Sequence, residues 1–221
     1  MQIHRHTHIL PEMVFFDLGG VVVDVQFDLF VRQMARLCRI SQKEMALQLH
    51  GLSPLYQRFA TGKITADVLF DRMTRQFPKI NDRAVFESFY TGIFRLKEGV
   101  TDIITALRTQ VRLSVISNTD ALHFDYIVRN YAVMQLFEEP VTSFEVHAVK
   151  PQAKIFQAAL KRFGLQPAAA LFIDDREENI AAARNVGMQA IQFESAQQLQ
   201  LELDNIFPDW RTSQPSLKAV F

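Results

Sequence analysis

Cysteine, net charge and long apolar runs are all scarce in this sequence of 221 residues. Cys38 is the only cysteine, so no internal disulfide and no cysteine metal cluster can form, and a reducing compartment, the cytoplasm, is expected. Basic and acidic residues number 24 each, and this zero formal charge argues against nucleic acid or an anionic membrane as a partner held by long-range attraction. No apolar run approaches the length of a membrane span, and residues 1–12 lack the apolar stretch of a secretory signal.

Apolar residues are plentiful by contrast. They make up 48% of the chain and include 19 phenylalanines, a composition typical of a globular protein with a large core. The length allows one large domain or a core domain with a smaller insert.

The hydrophobic pattern divides the chain into two kinds of structure. Before residue 27 and after residue 95, short apolar runs alternate with helical patterns, which predicts a parallel sheet with helices on both faces. The predicted strands are 13–16, 112–118, 139–143, 169–175 and 189–193. Between 27 and 95, apolar residues recur at helical spacing and no strand is evident, so we predict an all-helical insert there.

Polar side chains follow three of the predicted strands at the point where each strand ends. Asp17 comes directly after the first strand, Ser117 and Asn118 close the second, and Asp174 and Asp175 close a third. In an open parallel sheet, ligands bind beyond the carboxyl ends of the strands. One such aspartate more often stabilises a turn, but the repetition at three strand ends indicates a shared functional rim.

The residue types on this rim indicate a particular chemistry. Three carboxylates repel one another unless a cation compensates them, and a hard cation such as Mg²⁺ is the natural partner. Lys150 adds a positive charge, while Ser117 and Asn118 add hydrogen-bond donors. Such a set can hold a phosphate dianion while an aspartate oxygen attacks phosphorus. We therefore expect a small phosphorylated metabolite as the partner.

Four ordered motifs resemble those of the haloacid dehalogenase-like (HAD) hydrolases. They are Asp17-Leu-Gly-Gly-Val, Ser117-Asn-Thr-Asp, Lys150-Pro and Asp174-Asp-Arg-Glu-Glu-Asn179. The segments FFDLGGVVVDVQF, ATGKIT and SNTDALH are most similar to the branch of sugar-phosphate phosphatases that includes α-D-glucose-1-phosphate phosphatase. The resemblance spans residues 13–193. It implies a Rossmann-like, doubly wound core domain formed by 1–26 and 96–221, with an inserted helical cap domain formed by 27–95.

Carried over residue by residue, the resemblance implies a role for each motif residue. Asp17 would be the nucleophile that forms an aspartyl-phosphate, and it would also bind Mg²⁺ together with the main-chain carbonyl of Gly19. Asp175 would bind the metal directly, with Asp174 beside it as a ligand or as support for one. Lys150 would restrain the nucleophile as a second catalytic residue. The implied phosphate-binding groups are Ser117, Asn118 and Lys150.

Two positions depart from the family pattern. Many relatives carry a second aspartate as general acid and base where this chain has Gly19, and such a group typically contributes about 10²–10⁴-fold in rate. Either the substrate has a comparatively acidic leaving oxygen, which we favour because the resembled branch also has glycine here, or turnover is poor. The second departure lies just before Lys150. His147 stands where relatives often have glycine, and its imidazole would either narrow the pocket or replace the lost proton donor. Val149 stands where relatives often have arginine.

Two rival functions remain open. A metal-independent 2-haloacid dehalogenase would suit Gly19, because its aspartate attacks carbon, but it has no use for the paired Asp174 and Asp175. A non-catalytic phosphate-binding protein on the same scaffold would suit both Gly19 and His147. Metal dependence separates the first rival from a phosphatase, and turnover separates the second.

Further predictions concern other side chains. His123 either helps to shape the site or lies on a helix surface. Tyr56 and Phe59 are expected in the core of the helical insert rather than at a substrate. Arg58 lies between them in the sequence. Asn179 is expected either to cap its helix or, as we favour, to orient Asp175 from behind.

Overall fold

A parallel sheet lies at the centre of the fold. The computed structural model describes residues 9–211, and the outer ends of the predicted core domain, 1–8 and 212–221, lie outside the described residues. The strands are β1 (Met13–Phe16), β2 (Val23–Val25), β3 (Phe94–Leu96), β4 (Arg112–Ser117), β5 (Val141–Thr142), β6 (Ala170–Asp174) and β7 (Gln189–Gln192). Five of them form the sheet in the order β5-β4-β1-β6-β7, and every neighbouring pair is parallel.

Helices cover both faces of this sheet and form the insert. They are α1 (Phe27–Cys38), α2 (Gln42–Gly51), α3 (Ser53–Ala60), α4 (Ala66–Gln76), α5 (Arg83–Thr91), α6 (Val100–Leu107), α7 (Ala121–Asn130), α8 (Ser143–Val146), α9 (Ala153–Phe163), α10 (Glu177–Asn185) and α11 (Ala196–Ile206). No helix in this described range is long and apolar enough to cross a bilayer.

The central strand β1 explains why the sheet is covered on both sides. Its four residues are fully buried, as in a parallel strand with helices on each face. Val14 and Phe16 pack into a cluster with residues of α6, α7 and α11, whereas Met13 and Phe15 pack with α9 and α10 on the other face. The predicted doubly wound parallel sheet is therefore confirmed.

Helices α1 to α5 enclose a hydrophobic cluster of their own, built around Phe30, Met34 and Phe86. Ser41 caps α2, because its hydroxyl accepts a hydrogen bond from the main-chain N–H of Glu44 at 3.1 Å. The sequence pattern does not separate α2 from α3, which follow each other directly. The chain is already helical again at Pro54, a residue that suits the first turn of a helix.

The prediction that residues 27–95 contain no strand is wrong at the carboxyl end of that range. Phe94–Leu96 forms β3, which pairs antiparallel with β2 and places Arg95 opposite Asp24. A strand of three residues is too short for a two-residue hydrophobic period to show, and its partner lies far earlier in the chain. The chain thus enters the insert through β2 and leaves it through β3.

Strand β5 is shorter than the predicted 139–143. Its ladder begins at Val141 because Pro140 has no N–H to offer to a neighbouring strand. The strand nevertheless pairs with the end of β4, where Ser117 lies opposite Thr142.

Candidate active site

The carboxyl ends of β1, β4 and β6 are adjacent, as expected, and they meet at a cavity of about 630 Å³. The predicted site residues that line this catalytic cavity are Asp17, Gly19, Asn118, Lys150 and Asp175. Asp174 and Ser117 are not on the lining: both are buried, with exposed fractions of 0% and 2%. The sheet topology therefore brings five of the predicted site residues to one cavity, and the implied phosphate contact of Ser117 stays a prediction.

Lys150 links two of the three aspartates. Its Nζ lies 2.8 Å from Oδ1 of Asp17 and 2.7 Å from Oδ2 of Asp174, and only 1% of its side chain is exposed. The ammonium also lies 5.2 Å from the centre of the Phe172 ring. An ammonium group has three protons to donate, so one remains after these two carboxylates are satisfied.

Asn118 fixes the main chain of Lys150. Its Nδ2 donates to the Lys150 carbonyl at 3.0 Å, and its Oδ1 accepts from the Lys150 N–H at 2.7 Å. Both polar atoms of the side chain are thus used to position the lysine. The implied phosphate contact of Asn118 stays a prediction, and this clamp on Lys150 is a role that the sequence did not indicate.

Asp17 is held through one carboxylate oxygen only. Its Oδ1 accepts from the Leu18 N–H at 2.7 Å and from Lys150, while Oδ2 accepts no hydrogen bond from residues 9–211. Burial raises the pKa of Asp17, Lys150 opposes that rise, and the charge of Asp174 adds to it, so the pKa is about 6. The free oxygen is the one available to a ligand.

Asp174 is saturated by protein donors. Its oxygens accept from Lys150, from the Arg176 N–H at 2.9 Å, and from Nδ2 of Asn179 at 2.9 and 3.0 Å. These contacts occupy the four lone-pair positions of a carboxylate. The expectation that Asn179 orients Asp175 is wrong. Side chains in a helix lean towards its N-terminus, and in α10 this direction brings Asn179 to the buried Asp174 instead.

Asp175, in contrast, is open. No side chain in the described range donates to its carboxylate, and burial together with the charge of Asp174 raises its pKa. Gly20 lies against it at a φ of +84°, and a Cβ on that glycine would be 2.4 Å from Oδ2 of Asp175. Glycine is required at position 20 by both its conformation and this close approach.

The residues present fit a divalent cation. Oxygens of Asp17, Asp174 and Asp175 lie within 4.8 Å of one another, and these three carboxylates face one ammonium. Because Asp174 is already saturated by protein donors, Asp17 and Asp175 are the carboxylates open to the cation. Asn179 lines the cavity and its Oδ1 is buried without a hydrogen-bond donor in the part of the chain described. Mg²⁺ usually retains several water molecules, and such a water would supply the donor that Asn179 lacks.

An ion pair at the β2–β3 ribbon also lines the catalytic cavity, and no sequence motif predicts it. Lys97 Nζ lies 2.5 Å from Oδ1 of Asp24, and both side chains face the catalytic cavity. The pairing of two distant strands brings these residues together, so no local sequence pattern could have revealed the contact.

His147 lies at the junction of core and insert. It adopts a left-handed conformation with a φ of 52°, which explains why glycine suits this position. Its Nδ1 lies 2.9 Å from the carbonyl of Thr61, at the end of α3, and the imidazole is not part of the cavity lining. The expected narrowing of the pocket is therefore not observed.

His123 belongs neither to the site nor to a free helix surface. Its Nδ1 is 2.8 Å from Oδ2 of Asp120 and its Nε2 is 2.9 Å from the carbonyl of Tyr90, on whose ring it stacks. It thus joins α7 to α5. Tyr56 and Phe59 pack with the hydrophobic cluster of the insert, as expected.

Comparisons with known proteins agree with this geometry. The chain is 24% identical over 200 residues to the D-ribitol-5-phosphate phosphatase of Bacteroides thetaiotaomicron, which covers 86% of this chain and 95% of that protein. It is 26% identical over 216 residues to the phosphoglycolate phosphatase of Mannheimia succiniciproducens, or 90% of this chain and 92% of the relative.

A solved structure shares the fold. A HAD family enzyme from Bacteroides thetaiotaomicron, crystallised with magnesium and inorganic phosphate, superposes with a TM-score of 0.75 at 21% identity, covering 84% of this chain and 95% of that one. A family model described as haloacid dehalogenase-like hydrolase matches residues 11–187. The chain therefore belongs to the haloacid dehalogenase-like hydrolases.

Proposed function

We propose that the chain is a Mg²⁺-dependent phosphatase of small phosphorylated metabolites. The observation that carries this proposal is the arrangement of two open carboxylates around a fixed lysine. Lys150 bridges Asp17 and Asp174, while Oδ2 of Asp17 and the carboxylate of Asp175 stay free at the cavity. This set suits one cation and one phosphate dianion at the same time.

Each residue has a task in the reaction. Oδ2 of Asp17 attacks phosphorus, the bond from phosphorus to the leaving oxygen breaks, and that oxygen keeps the electron pair. Lys150 holds Oδ1 of Asp17 and has one proton left for a phosphate oxygen. Water then attacks phosphorus in the aspartyl-phosphate and releases phosphate and free Asp17. When bound, Mg²⁺ supplies positive charge to the phosphoryl oxygens, and Asp17, Asp175 and the carbonyl of Gly19 would hold it.

The relatives support a small substrate, because two of them act on ribitol phosphate and phosphoglycolate by name. Gly19 provides no acid for the leaving group. We therefore favour substrates whose leaving oxygen is comparatively acidic, as in an anomeric sugar phosphate.

The carboxylates also weigh against the rivals. A metal-independent dehalogenase would leave Asp175 as an uncompensated charge beside Asp17 and Asp174. A non-catalytic phosphate binder would have no need of a nucleophile. Here Lys150 holds Oδ1 of Asp17 and leaves Oδ2 free to attack.

Phosphate release from a panel of sugar and polyol phosphates tests the proposal, with Mg²⁺ and with a chelator. We expect Mg²⁺-dependent release that is lost in Asp17→Asn and in Asp175→Asn, and kept in Asp102→Asn, an exposed aspartate of α6. Metal-independent halide release from a 2-haloacid would favour the dehalogenase. Binding of Mg²⁺ and phosphate without turnover on any substrate would favour the non-catalytic protein.

We also propose the core and cap division at residues 1–26, 27–95 and 96–221, with β3 crossing the second boundary. A cytoplasmic location is proposed as well, because Cys38 is a free thiol.

A further inference from the structure

A second cavity of about 700 Å³ lies between α1 and the β2–β3 ribbon. Three arginines line it: Arg32 and Arg36 lie one turn apart on α1, and Arg95 lies on β3. We call it the arginine cavity. Val25 and Phe27 form apolar parts of its wall and are each 48% exposed.

The charge of the arginine cavity is not balanced within the protein. None of the three guanidinium groups forms an ion pair with a carboxylate of residues 9–211, and Arg95 donates only to Oε1 of Gln26, at 2.9 Å. The acidic residue on the same lining is Asp28. Guanidinium groups match the planar shape of carboxylate and phosphate, so an anionic group fits this site.

A polar atom in the same cavity lacks a partner. Gln33 is on the lining, and its Oε1 is buried without a hydrogen-bond donor from any described residue. A buried acceptor is normally paired. A ligand that carries a hydroxyl group beside its anionic group would satisfy both Gln33 and the arginines.

The arginine cavity and the catalytic cavity are adjacent. Val25 lines both of them. Asp24 and Arg95 are cross-strand partners and therefore point to the same face of the ribbon, together with Lys97 two residues further on. Asp24 and Lys97 line the catalytic cavity and Arg95 lines the arginine cavity, so one face of the ribbon runs from one to the other.

We propose that the substrate spans both cavities and is a hydroxylated phosphomonoester with a carboxylate at its far end. This inference rests on the proposed phosphatase function. The transferred phosphoryl group binds at Asp17, the far anion binds Arg32, Arg36 and Arg95, and a hydroxyl group donates to Gln33.

Another arginine-lined cavity offers a matched control. Arg58, Arg72 and Arg75 line a cavity between α3 and α4 that shares no lining residue with the catalytic cavity. Changes there alter the charge of the same insert without touching the proposed subsite.

Matched substrates that differ only in the far group test the inference. The pairs are phosphoglycerate with glycerol phosphate, and phosphogluconate with sorbitol phosphate, in which a carboxylate replaces a hydroxymethyl group at two chain lengths. We expect the wild type to prefer the carboxylate member of at least one pair. Arg36→Gln and Arg95→Gln should lower kcat/KM for that member by about tenfold to hundredfold, with less than about twofold change for its neutral partner. Arg75→Gln should change neither.

Equal activity of the wild type on both members, or equal losses on both in the variants, would overturn the inference while leaving the phosphatase function intact. If the protein turns over none of these substrates, a binding measurement tests the inference instead. Calorimetric titration of Asp17→Asn with both members of each pair should show tighter binding of the carboxylate member, lost when Arg36→Gln is added. Loss of turnover on every substrate, with this binding preference retained, would count against the phosphatase function alone.

Discussion

Among single residues, Lys150 is the cation that pairs with two buried carboxylates, those of Asp17 and Asp174. In Lys150→Met, the pKa of Asp17 should rise above its value of about 6, since the opposing charge is gone. A carboxyl group with a raised folded-state pKa stabilises the fold when protonated, and this stability is lost as pH rises through that pKa. We expect a loss of about 3 kcal/mol in unfolding free energy at pH 8 and a smaller loss at pH 5.

Urea unfolding at both pH values measures this difference. Lys154→Met, an exposed lysine of α9, serves as the matched control and should cost less than about 0.5 kcal/mol at either pH. An equal loss at pH 5 and pH 8 in Lys150→Met would contradict the assigned coupling.

Gly20 connects main-chain conformation to the metal site. Gly20→Ala should displace Asp175, because the new Cβ would lie 2.4 Å from its Oδ2, and should raise the half-activating Mg²⁺ concentration by about tenfold or more. Gly164→Ala is the control: its φ of 65° is also left-handed, but a Cβ there meets no atom within 4 Å. Both variants should lose about 1 kcal/mol of stability. A normal Mg²⁺ requirement in Gly20→Ala would refute this account of Asp175.

Gly19 allows the missing acid to be restored. Its φ is not left-handed, and a Cβ would meet only Cγ2 of Val25, at the ordinary contact distance of 3.4 Å. Gly19→Asp should therefore fold normally and raise kcat on alkyl phosphates by about tenfold to a thousandfold, with little change on an aryl phosphate. The dependence of kcat on leaving-group pKa measures this. An unchanged slope would show that protonation of the leaving group does not limit turnover.

At the scale of elements, α5 and α7 are joined by a buried polar cluster. Asp120 caps α7, accepts from the Tyr90 hydroxyl at 2.7 Å and pairs with His123. Burial alone would raise the pKa of Asp120, but the charge and hydrogen bonds of His123, together with Tyr90, outweigh it and bring the pKa below the ordinary 3.8. The resulting stability is present above pH 3.8 and is lost as pH falls through the lower folded-state pKa.

Asp120→Asn should therefore cost about 2 kcal/mol of unfolding free energy at pH 7 and progressively less below about pH 4. Asp125→Asn removes an exposed pair with Arg129 on the same helix and should cost less than about 0.5 kcal/mol. Chemical unfolding as a function of pH compares the two. A cost of Asp120→Asn that stays constant down to pH 3 would argue against an ionised Asp120 in the cluster.

The elements that the sequence predicts well are those with an abrupt boundary. β1, β4 and β6 are apolar runs that stop at a polar residue, so both the strands and their functional ends can be recognised. β3 has three residues and a distant partner, and no local pattern marks it. The hydrogen-bond partner of Asn179 depends on the direction of its side chain in α10, which the spacing of residues in the sequence does not determine. The clamp of Asn118 on Lys150 joins two loops that only the folded sheet brings together.

At the scale of the whole molecule, polar contacts tie the insert to the core on the side of α3. The Ser143 hydroxyl donates to the carbonyl of Ala60 at 2.6 Å, and His147 contacts that of Thr61. The β2–β3 ribbon makes the covalent connection and carries part of both cavities. The strand ends of the core thus line the catalytic cavity, while α1 and the ribbon line the arginine cavity.

If Asp17 is the nucleophile, it forms a covalent phosphoryl intermediate during turnover, and rapid-quench mass spectrometry can detect that intermediate. With Mg²⁺ and an active phosphomonoester, we expect a transient phosphoryl group on the peptide that contains Asp17, removed by hydroxylamine and absent with chelator. Full-rate phosphate release without any phosphorylated Asp17, or undiminished release by Asp17→Asn, would contradict this role of Asp17.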